Sequence, residues 1–226
     1  MSKYIFDRVE KKYVLSKEQY EKIIKKLEGK MELDKYGFST ICNIYFDSNN
    51  YELIRTSLDK PIYKEKVRLR SYGIPTLESN VFLEIKKKYK GVVNKRRIEM
   101  KLKDAYEYIE KGKTDKNSQI MNEIDYCFKR YNLKPVIFLA YDRYAYQGIE
   151  DKEFRVTFDF NIRSRNYDLR LEKGDYGEIL TEEPEYVMEI KTLGSIPIWF
   201  VRILSELKIY PHSFSKYGEI YMEKIV

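Results

Sequence analysis

The chain is poor in the residues from which many compact sites are built. Its 226 residues include two cysteines, one histidine and one tryptophan. Cys42 and Cys127 lie far apart and lack the spacing of metal ligands, so we expect buried, reduced thiols of a cytosolic protein. The lone His212 is expected to be structural rather than catalytic. These shortages argue against a disulfide framework and against a zinc site built from Cys and His.

Long apolar runs and glycine-rich phosphate loops are missing as well. The longest apolar stretch, IPIWFV at 196–201, is far shorter than a membrane span. The first residues, MSKYIFDRVEKKY, contain no apolar core of signal-peptide length. The sequence has no P-loop or kinase glycine motif, and Gly91 and Gly148 stand in predicted turns. We therefore expect a soluble, cytoplasmic protein.

Charge of both signs is what the chain has in quantity. Lys and Arg number 43 and Asp and Glu number 36, which gives a net charge of +7 and an isoelectric point near 9.0. A basic balance favours a polyanionic partner, and the mixture with many carboxylates indicates focused sites rather than a uniformly basic surface. Hydrophobic residues make up 43% of the chain, enough for a packed core, which argues against disorder.

Charged and apolar residues alternate in short runs. In KVRLR, Lys66, Arg68 and Arg70 alternate with apolar residues, and in FLEIKKK, Glu84 and Lys86 do the same. Successive strand residues point to opposite faces, so each run has an ionic face and an apolar face. For one run alone, an ionic face in water is the simpler interpretation. The pattern recurs in RVEKKYVL, YDRYAY, FRVTFDF and YVMEIKTL, and the recurrence favours an ionic face that points into an enclosed space.

The predicted elements are about eight strands and several helices. Strands are expected at about 3–15, 43–47, 62–72, 80–89, 92–101, 135–146, 153–162 and 185–192. Helices are expected at 16–29, within 48–61, at 103–111, at 117–132 and after Pro197, whereas 163–184 is expected to be irregular. Eight strands are enough to close a barrel with alternate residues inside. We predict an α+β fold in which about eight strands close a barrel with helices on its outside, as one domain over residues 1–226.

The order of these motifs resembles the VTC domain, the polyphosphate polymerase branch of the triphosphate tunnel fold, also described as CYTH-like. The motifs that carry the resemblance are RVEKKYVL, YFDS, KVRLRSYG, FLEIKKK, NKRR, YDRYAY, FRVTFD, VMEIKTL and SFSKYG. Each motif is weak alone, but their joint order covers nearly the whole chain. The resemblance implies an eight-stranded antiparallel tunnel whose interior binds a triphosphate or a polyphosphate chain. It also implies that the protein works with a separate membrane-protein partner.

The resemblance also implies site residues. Its phosphate-binding residues are Lys12, Arg68, Arg70, Lys86, Lys95, Tyr141, Arg143, Arg155, Ser215 and Lys216. Of these, Arg68, Arg70, Arg143 and Lys216 would also act in catalysis, together with Glu189, which would hold a divalent metal, Mn²⁺ or Mg²⁺. Additional candidates are Arg8, Lys88 and Lys191. Glu84 and Asp159 are expected to hold basic side chains in place rather than to act in catalysis.

One departure from the wider fold is informative. Hydrolytic relatives of this fold open with an E-x-E-x-K strand whose glutamates help to bind metal, whereas this chain has Arg8-x-Glu10-x-Lys12. A cation thus replaces a carboxylate. This shifts the expected site from acidic metal ligands toward phosphate binding, and it favours the polymerase branch over the tripolyphosphatase branch.

The expected reaction transfers the terminal phosphoryl group of a nucleoside triphosphate, with ATP as the expected donor, to the end of a polyphosphate chain. Phosphoryl transfer needs positioning and charge neutralisation, which arginine and lysine supply. Three alternatives remain open: a tripolyphosphatase or nucleoside triphosphatase of the same fold, a non-catalytic module that binds polyphosphate or inositol pyrophosphate, and nucleic-acid binding through interleaved lysines and tyrosines. Nucleic acid is the partner we do not expect. The oligomeric state is left open.

Overall fold

The computed structural model describes residues 8–180 and 185–224, and of residue 8 only the backbone. These residues form two compact units that are each built from separate stretches of the chain. The first unit comprises 8–39, 141–162 and 185–215, and the second comprises 40–140, 163–180 and 216–224. The expectation of one domain over 1–226 stays a prediction.

The described residues contain nine strands and six α-helices. The strands are β1 Arg8–Leu15, β2 Met31–Asp47, β3 Tyr63–Tyr72, β4 Asn80–Tyr89, β5 Val92–Lys101, β6 Lys134–Gly148, β7 Arg155–Arg165, β8 Glu178–Ile179 and β9 Tyr186–Leu193. The helices are α1 Lys17–Leu27, α2 Glu52–Leu58, α3 Leu102–Lys111, α4 Gln119–Tyr131, α5 Ile198–Glu206 and α6 Lys216–Lys224. None of these described helices is long and apolar enough to cross a membrane.

The strands follow the hydrogen-bonded order β1-β9-β7-β6-β2-β3-β4-β5, with β8 paired to β7 beside this path. Strands β2, β6 and β7 each contain residues of both units. Within the first unit, β9 pairs antiparallel with β1 and with β7. Within the second unit, β3 pairs antiparallel with β2 and β4, and β4 with β5. The predicted α+β class with an antiparallel sheet and packed helices is confirmed.

The core of the first unit lies against the apolar face of its strands. Met188 and Ile190 of β9 and Phe158 of β7 are fully buried, as the alternation of these runs predicts. They pack with apolar side chains of α1 and α5, including Ile23 and Phe200. The opposite face of the same strands is thereby left to the charged residues.

The core of the second unit follows the same rule. Val67 and Leu69 of β3 and Leu83 of β4 are fully buried, and they form one cluster with the apolar sides of α3 and α4. Cys42 and Cys127 belong to this cluster as free, buried thiols, as expected. Burial raises the pKa of the Cys42 thiol to about 11.

Helix α1 begins as the sequence predicts. Ser16 Oγ accepts from Gln19 N at 3.2 Å, and Gln19 Oε1 accepts from Ser16 N at 3.1 Å, which completes the capping box. Pro197 stands one residue before α5, at its N-cap, rather than in its first turn.

Three expectations about the elements were wrong. Strand β2 has 17 residues rather than about five, because backbone pairing continues through a polar stretch that lacks apolar alternation. The stretch 163–180 is not wholly irregular: β7 runs on to Arg165, and a short 3-10 helix and β8 follow. Helix α6 was not predicted, since few apolar residues and Gly218 weaken its helical pattern. The expected strand residues 3–7 lie outside the described residues.

Candidate functional site

Strands β3, β4 and β5 bring four charged side chains together in the second unit. Register places Arg68 opposite Glu84. Oε2 of Glu84 accepts from Arg68 Nε at 2.7 Å and lies 4.0 Å from Arg70 Nε. Oε1 of Glu84 lies 2.9 Å from Lys95 Nζ. We call Arg68, Arg70, Glu84 and Lys95 the arginine cluster.

Three cations of the arginine cluster surround one buried carboxylate. The side chain of Glu84 is 2% exposed. Burial alone would raise the pKa of Glu84, but Arg68, Arg70 and Lys95 outweigh burial and lower it to about 2. Burial lowers the pKa of Lys95, and Arg68 adds to this, so the pKa is about 8 in spite of the contact with Glu84. Arg68 thus disfavours the charged form of Lys95, which is a sign of a positive local potential that a bound anion would reduce.

Strand β2 holds the two arginines in place. Arg68 Nη1 donates to Tyr45 Oη at 3.1 Å, and Arg70 Nε donates to Asn43 Oδ1 at 2.8 Å. Asn43 is fully buried and its amide donates in turn to the carbonyl of Leu139 at 3.1 Å. These contacts fix the guanidinium planes, as bidentate recognition of phosphate oxygens requires.

The phenol of Tyr45 is itself affected by the cluster. Burial alone would raise the pKa of Tyr45, but the positive charges of Arg68, Arg70 and Lys66 lower it to about 8. A phenol with this pKa stabilises negative charge more readily than an ordinary tyrosine. The low pKa is therefore a second sign that the local potential is positive.

Two further predicted lysines lie on the same face of β4. Lys86 stands opposite Lys66 of β3 and Lys95 of β5, and Lys88 stands opposite Lys64. Both predicted side chains are half-buried. Because directly opposed residues share a face, the structure places Lys86 beside the arginine cluster and Lys88 nearer the β4–β5 turn.

Sequence reasoning missed three neighbours of the arginine cluster. Asn43 and Tyr45 were part of a predicted strand, and their alternation with apolar residues in NIYFD was the signal that could have found them. Arg97 stands opposite Glu84 in register, and its guanidinium lies 4.3 Å from the centre of the Phe82 ring. It shares the face of Lys95, the residue that was predicted from the same run.

Helix α6 presents Lys216 as its first residue, half-buried. The next residue, Tyr217, donates to Asp47 Oδ2 at 3.0 Å and stacks on Tyr45 with ring centres 4.8 Å apart. Asp47 is fully buried and also accepts from the backbone N–H groups of Leu53 and Ile54 at 2.8 and 3.0 Å. Tyr217 thus ties α6 to strand β2, next to the tyrosine that contacts Arg68.

In the first unit, β1, β9 and β7 form a second polar site. Register places Glu189 between Lys12 of β1 and Thr157 of β7. Glu189 Oε1 lies 2.6 Å from Lys191 Nζ. Lys12 Nζ donates to the carbonyl of Phe214 at 3.1 Å. We call Lys12, Thr157, Glu189 and Lys191 the Glu189 cluster.

The environment of Glu189 keeps it ionised. Burial alone would raise the pKa of Glu189, but Lys191, Lys12 and Arg143 outweigh burial and hold the pKa well below its usual range. The carboxylate is therefore available to a cation at any pH above the acid range. Glu189 also forms a salt bridge with Lys191, which is a simpler role than metal binding.

Arg143 is paired with a buried carboxylate. Its Nε and Nη2 donate to the two carboxylate oxygens of Asp159 at 2.5 and 2.8 Å, and Asp159 is fully buried. The guanidinium lies 5.3 Å from the centre of the Tyr141 ring. Burial alone would lower the pKa of Arg143, but Asp159, Tyr141 and Glu189 raise it well above the usual value. Asp159 holds Arg143 in position, as expected.

The remaining predicted residues of the first unit are less closely placed. Arg155 stands opposite Lys191 in register, but Arg155 is exposed. Ser215 is half-buried, beside the segment that receives the Lys12 ammonium. The side chain of Arg8 lies outside the described residues, and its backbone pairs with Leu193.

The described residues do not form a metal site from protein ligands alone. They contain no group of three or more His, Cys, Asp and Glu side chains that could hold a metal ion. Within the described residues, Glu189 therefore does not belong to a group of three protein ligands that could hold a metal ion by itself. The hydroxyl of Thr157, on the strand next to it, is buried and has no hydrogen-bond partner among the described residues. One carboxylate and one hydroxyl fit a divalent ion that takes its other ligands from phosphate oxygens and water.

The predicted residues therefore separate into two sets. Arg68, Arg70 and Lys95 meet at Glu84, with Lys86 and Lys88 on the same face of β4, and Lys216 belongs to the same unit. The other unit contains Lys12, Tyr141, Arg143, Arg155, Glu189, Lys191 and Ser215. Each set combines cations with a buried carboxylate that orients them. Each is suited to bind a strongly anionic, oxygen-rich ligand.

Two curated relatives have similar sequences. Subunit 4 of the vacuolar transporter chaperone complex from Trypanosoma brucei brucei (strain 927/4 GUTat10.1) is 28% identical over 155 residues, which cover 55% of this chain and 20% of that protein. The subunit of the same name from Trypanosoma cruzi (strain CL Brener) is 29% identical over 156 residues, 55% of this chain and 19% of that protein. The chain spans about a fifth of the length of these relatives.

A solved structure shares the fold. A protein from Bacillus halodurans, described as a proposed adenylate cyclase, superposes with a TM-score of 0.60 at 17% identity and covers 96% of this chain and 97% of that one. At this identity the likeness shows the fold alone. The sequence profile of the VTC domain matches residues 7–222, nearly the whole chain. The chain therefore belongs to the VTC domain family.

Proposed function

We propose that the chain is a polyphosphate polymerase that uses a nucleoside triphosphate, with ATP as the expected donor. The observation that carries this proposal is the arginine cluster, in which three cations lie within 4.0 Å of one buried carboxylate. Closely spaced cations repel one another, and a bound polyanion offsets this repulsion. The membership of the VTC family and the two curated relatives support a ligand of the polyphosphate class.

In this proposal the arginine cluster binds phosphoryl oxygens. Arg68 and Arg70 present planar donors that two phosphate oxygens can share, while Lys95 and Lys86 act as point charges. Residues two apart on a strand are separated by about 6–7 Å, close to the distance between alternate phosphates of a chain. A row of cations along β3 and β4 can thus follow several phosphates in succession. A tunnel that encloses the polyphosphate is the arrangement expected from the family resemblance.

The Glu189 cluster has the second role. Glu189 and Thr157 would hold Mg²⁺ or Mn²⁺ together with phosphate oxygens, and the ion would neutralise charge on the phosphoryl group when bound. Arg143, fixed by Asp159, would donate to the same class of oxygens. Lys191, which contacts Glu189 at 2.6 Å, would then move its contact to a phosphate oxygen.

The reaction balances without a side-chain nucleophile or a general base. A terminal oxygen of the polyphosphate chain attacks the γ-phosphorus of the nucleotide, and a new P–O–P linkage forms. The bond to the β-phosphate oxygen breaks, and the nucleoside diphosphate leaves with that electron pair. Because the attacking phosphate is already anionic, no proton has to be removed. Lys216, at the start of α6, would neutralise charge at these oxygens.

The decisive experiment incubates the protein with ATP and Mn²⁺ and separates the products on a gel. Polyphosphate chains support the proposal, whereas orthophosphate alone indicates a hydrolase, and ligand binding without turnover indicates a binding module. Glu189→Gln is expected to abolish metal-dependent turnover while tripolyphosphate binding survives. A fully active Glu189→Gln protein would remove its metal role. Glu123→Gln, which alters a half-buried, ion-paired glutamate in α4, serves as the matched control.

A membrane-protein partner belongs to this proposal too. The two relatives bear the name of a vacuolar transporter chaperone complex, so we infer that the chain works with further subunits. Its expected location is the cytoplasmic side of a membrane, through such a partner. Purification of the protein from its own cells, with identification of co-purifying membrane proteins, tests this inference.

A further inference from the structure

The turn between β4 and β5 carries an unusual group of exposed apolar side chains. Val92, just after the turn, is 73% exposed, and Ile62, before β3, is 66% exposed. The backbone joins these two places, since Lys90 N donates to the carbonyl of Ile62 at 2.9 Å. We define the hairpin tip as the exposed apolar residues at this end of the strands: Ile62, Tyr63, Tyr89, Val92 and Val93.

Strand register makes the hairpin tip one continuous patch. Tyr63 stands opposite Tyr89, and Tyr89 stands opposite Val92. Val93 follows Val92 directly, so that these two side chains leave the strand on opposite faces. Apolar side chains therefore emerge from both faces of the same turn. A one-sided contact with a folded partner would use a single face, whereas both faces can be immersed in a continuous apolar medium.

The charge around the hairpin tip has one sign. Residues 60–64 and 85–98 contain nine basic residues and no acidic one. This exceeds the net charge of +7 of the whole chain, so the rest of the sequence is slightly acidic. Several of these cations have partners elsewhere, since Lys87 and Arg96 contact Glu123 of α4. The lysines beside the tip in sequence and register are Lys60, Lys64, Lys88 and Lys90.

We propose that the hairpin tip docks on the surface of an anionic lipid bilayer. The valines, the isoleucine and the tyrosines would enter the interface between headgroups and acyl chains, while the flanking lysines contact lipid phosphates and carboxylates. Apolar residues with a ring of basic residues are the combination that binds anionic membrane surfaces. Charge complementarity selects the anionic bilayer over a neutral one. This inference does not depend on the proposed polymerase activity, because none of the five apolar residues belongs to either cluster.

The test measures sedimentation of the whole protein with vesicles of phosphatidylcholine alone or mixed with phosphatidylserine. We expect co-sedimentation with the mixed vesicles, weakened by salt, and none with phosphatidylcholine alone. Val92→Glu with Val93→Glu should weaken binding at least about tenfold, since each change replaces an inserting group with a repelled charge. The matched control is Ile198→Glu, which alters a residue that is 66% exposed in the first unit. It should bind like the wild type.

Competition with tripolyphosphate distinguishes vesicle binding by the hairpin tip from vesicle binding by the phosphate-binding clusters. Tripolyphosphate should leave vesicle binding largely intact if the tip carries it. The proposal is overturned if the protein binds neither kind of vesicle. It is also overturned if the double variant binds mixed vesicles as well as the wild type does, or if tripolyphosphate releases both proteins equally.

A spectroscopic readout tests insertion directly. Cys42 and Cys127 are buried, so a cysteine introduced by Val92→Cys can be labelled selectively with an environment-sensitive dye. We expect a blue shift of its emission with mixed vesicles and no shift with phosphatidylcholine alone. An unshifted spectrum from sedimented protein would mean that electrostatic adsorption, without insertion of the tip, accounts for the binding.

Discussion

The Glu84→Gln substitution removes the negative charge that orients the arginine cluster. Glu84 is 2% exposed and contacts Arg68 and Lys95 at 2.7 and 2.9 Å. Two unit charges about 6 Å apart repel by on the order of 3 kcal/mol at an effective dielectric constant of 20. Loss of one partner of a buried ion pair costs about 3–5 kcal/mol. We therefore expect the free energy of unfolding to fall by about 3 kcal/mol.

The matched control is Glu123→Gln. Glu123 also bridges two cations, with Lys87 Nζ at 3.1 Å and Arg96 Nη1 at 2.5 Å, but its side chain is 23% exposed. Water screens this pair, so we expect a loss of about 1 kcal/mol or less. Both variants are compared with the wild type by urea unfolding at low salt, since the two glutamates differ mainly in burial.

The effects of ligand and pH follow from the same charge. Tripolyphosphate should stabilise Glu84→Gln more than it stabilises the wild type, because the polyanion replaces the missing negative charge. The Glu84 pKa is lowered from 4.5 to about 2, so its contribution to stability is present above pH 4.5 and is lost as pH falls through about 2. The difference between wild type and Glu84→Gln should shrink over that interval.

Two results would refute this reasoning. One is a loss of stability in Glu84→Gln that does not exceed the loss in Glu123→Gln. The other is an equal response of both variants to tripolyphosphate, which would show that the arginine cluster is not where the anion binds.

Three further predictions concern groups with shifted pKa values or buried partners. Tripolyphosphate binding near pH 8 should be accompanied by proton uptake, because Lys95 and Tyr45 each have a pKa of about 8 and a bound anion raises both values. Calorimetry in buffers of different ionisation enthalpy measures this uptake. Binding heats that do not depend on the buffer would contradict the prediction. Tyr217→Phe removes a hydrogen-bond donor from the buried carboxylate of Asp47 and should lower the free energy of unfolding by about 2 kcal/mol. Urea unfolding checks this, and an unchanged midpoint would show that the hydrogen bond does not stabilise the fold. Cys42 and Cys127, whose pKa values burial raises to about 11 and about 12, should resist thiol reagents until the protein unfolds; rapid reaction of the folded protein would show that they are accessible.

Local pattern was sufficient for much of the fold. Alternation of charged and apolar residues located β3 and β4 to within a residue, because one face of each strand must be buried. The same argument failed for the first part of β2, where a strand is held by backbone pairing and its side chains are largely exposed. It also failed for α6, which is anchored by contacts of Tyr217 with residues far away in the sequence.

Residue type and alternation along a strand could show which cations share a face of the sheet, but not which of them contact the same partner. That Arg68, Arg70 and Lys95 converge on one carboxylate depends on the register of three strands and on the reach of each side chain. Short-range alternation contains no information on register, since every shift by two residues preserves the same faces. The periodicity of the chain thus indicated strands with an ionic face, whereas packing between distant segments selected Glu84, Tyr45 and Asn43 as the groups that orient the arginines.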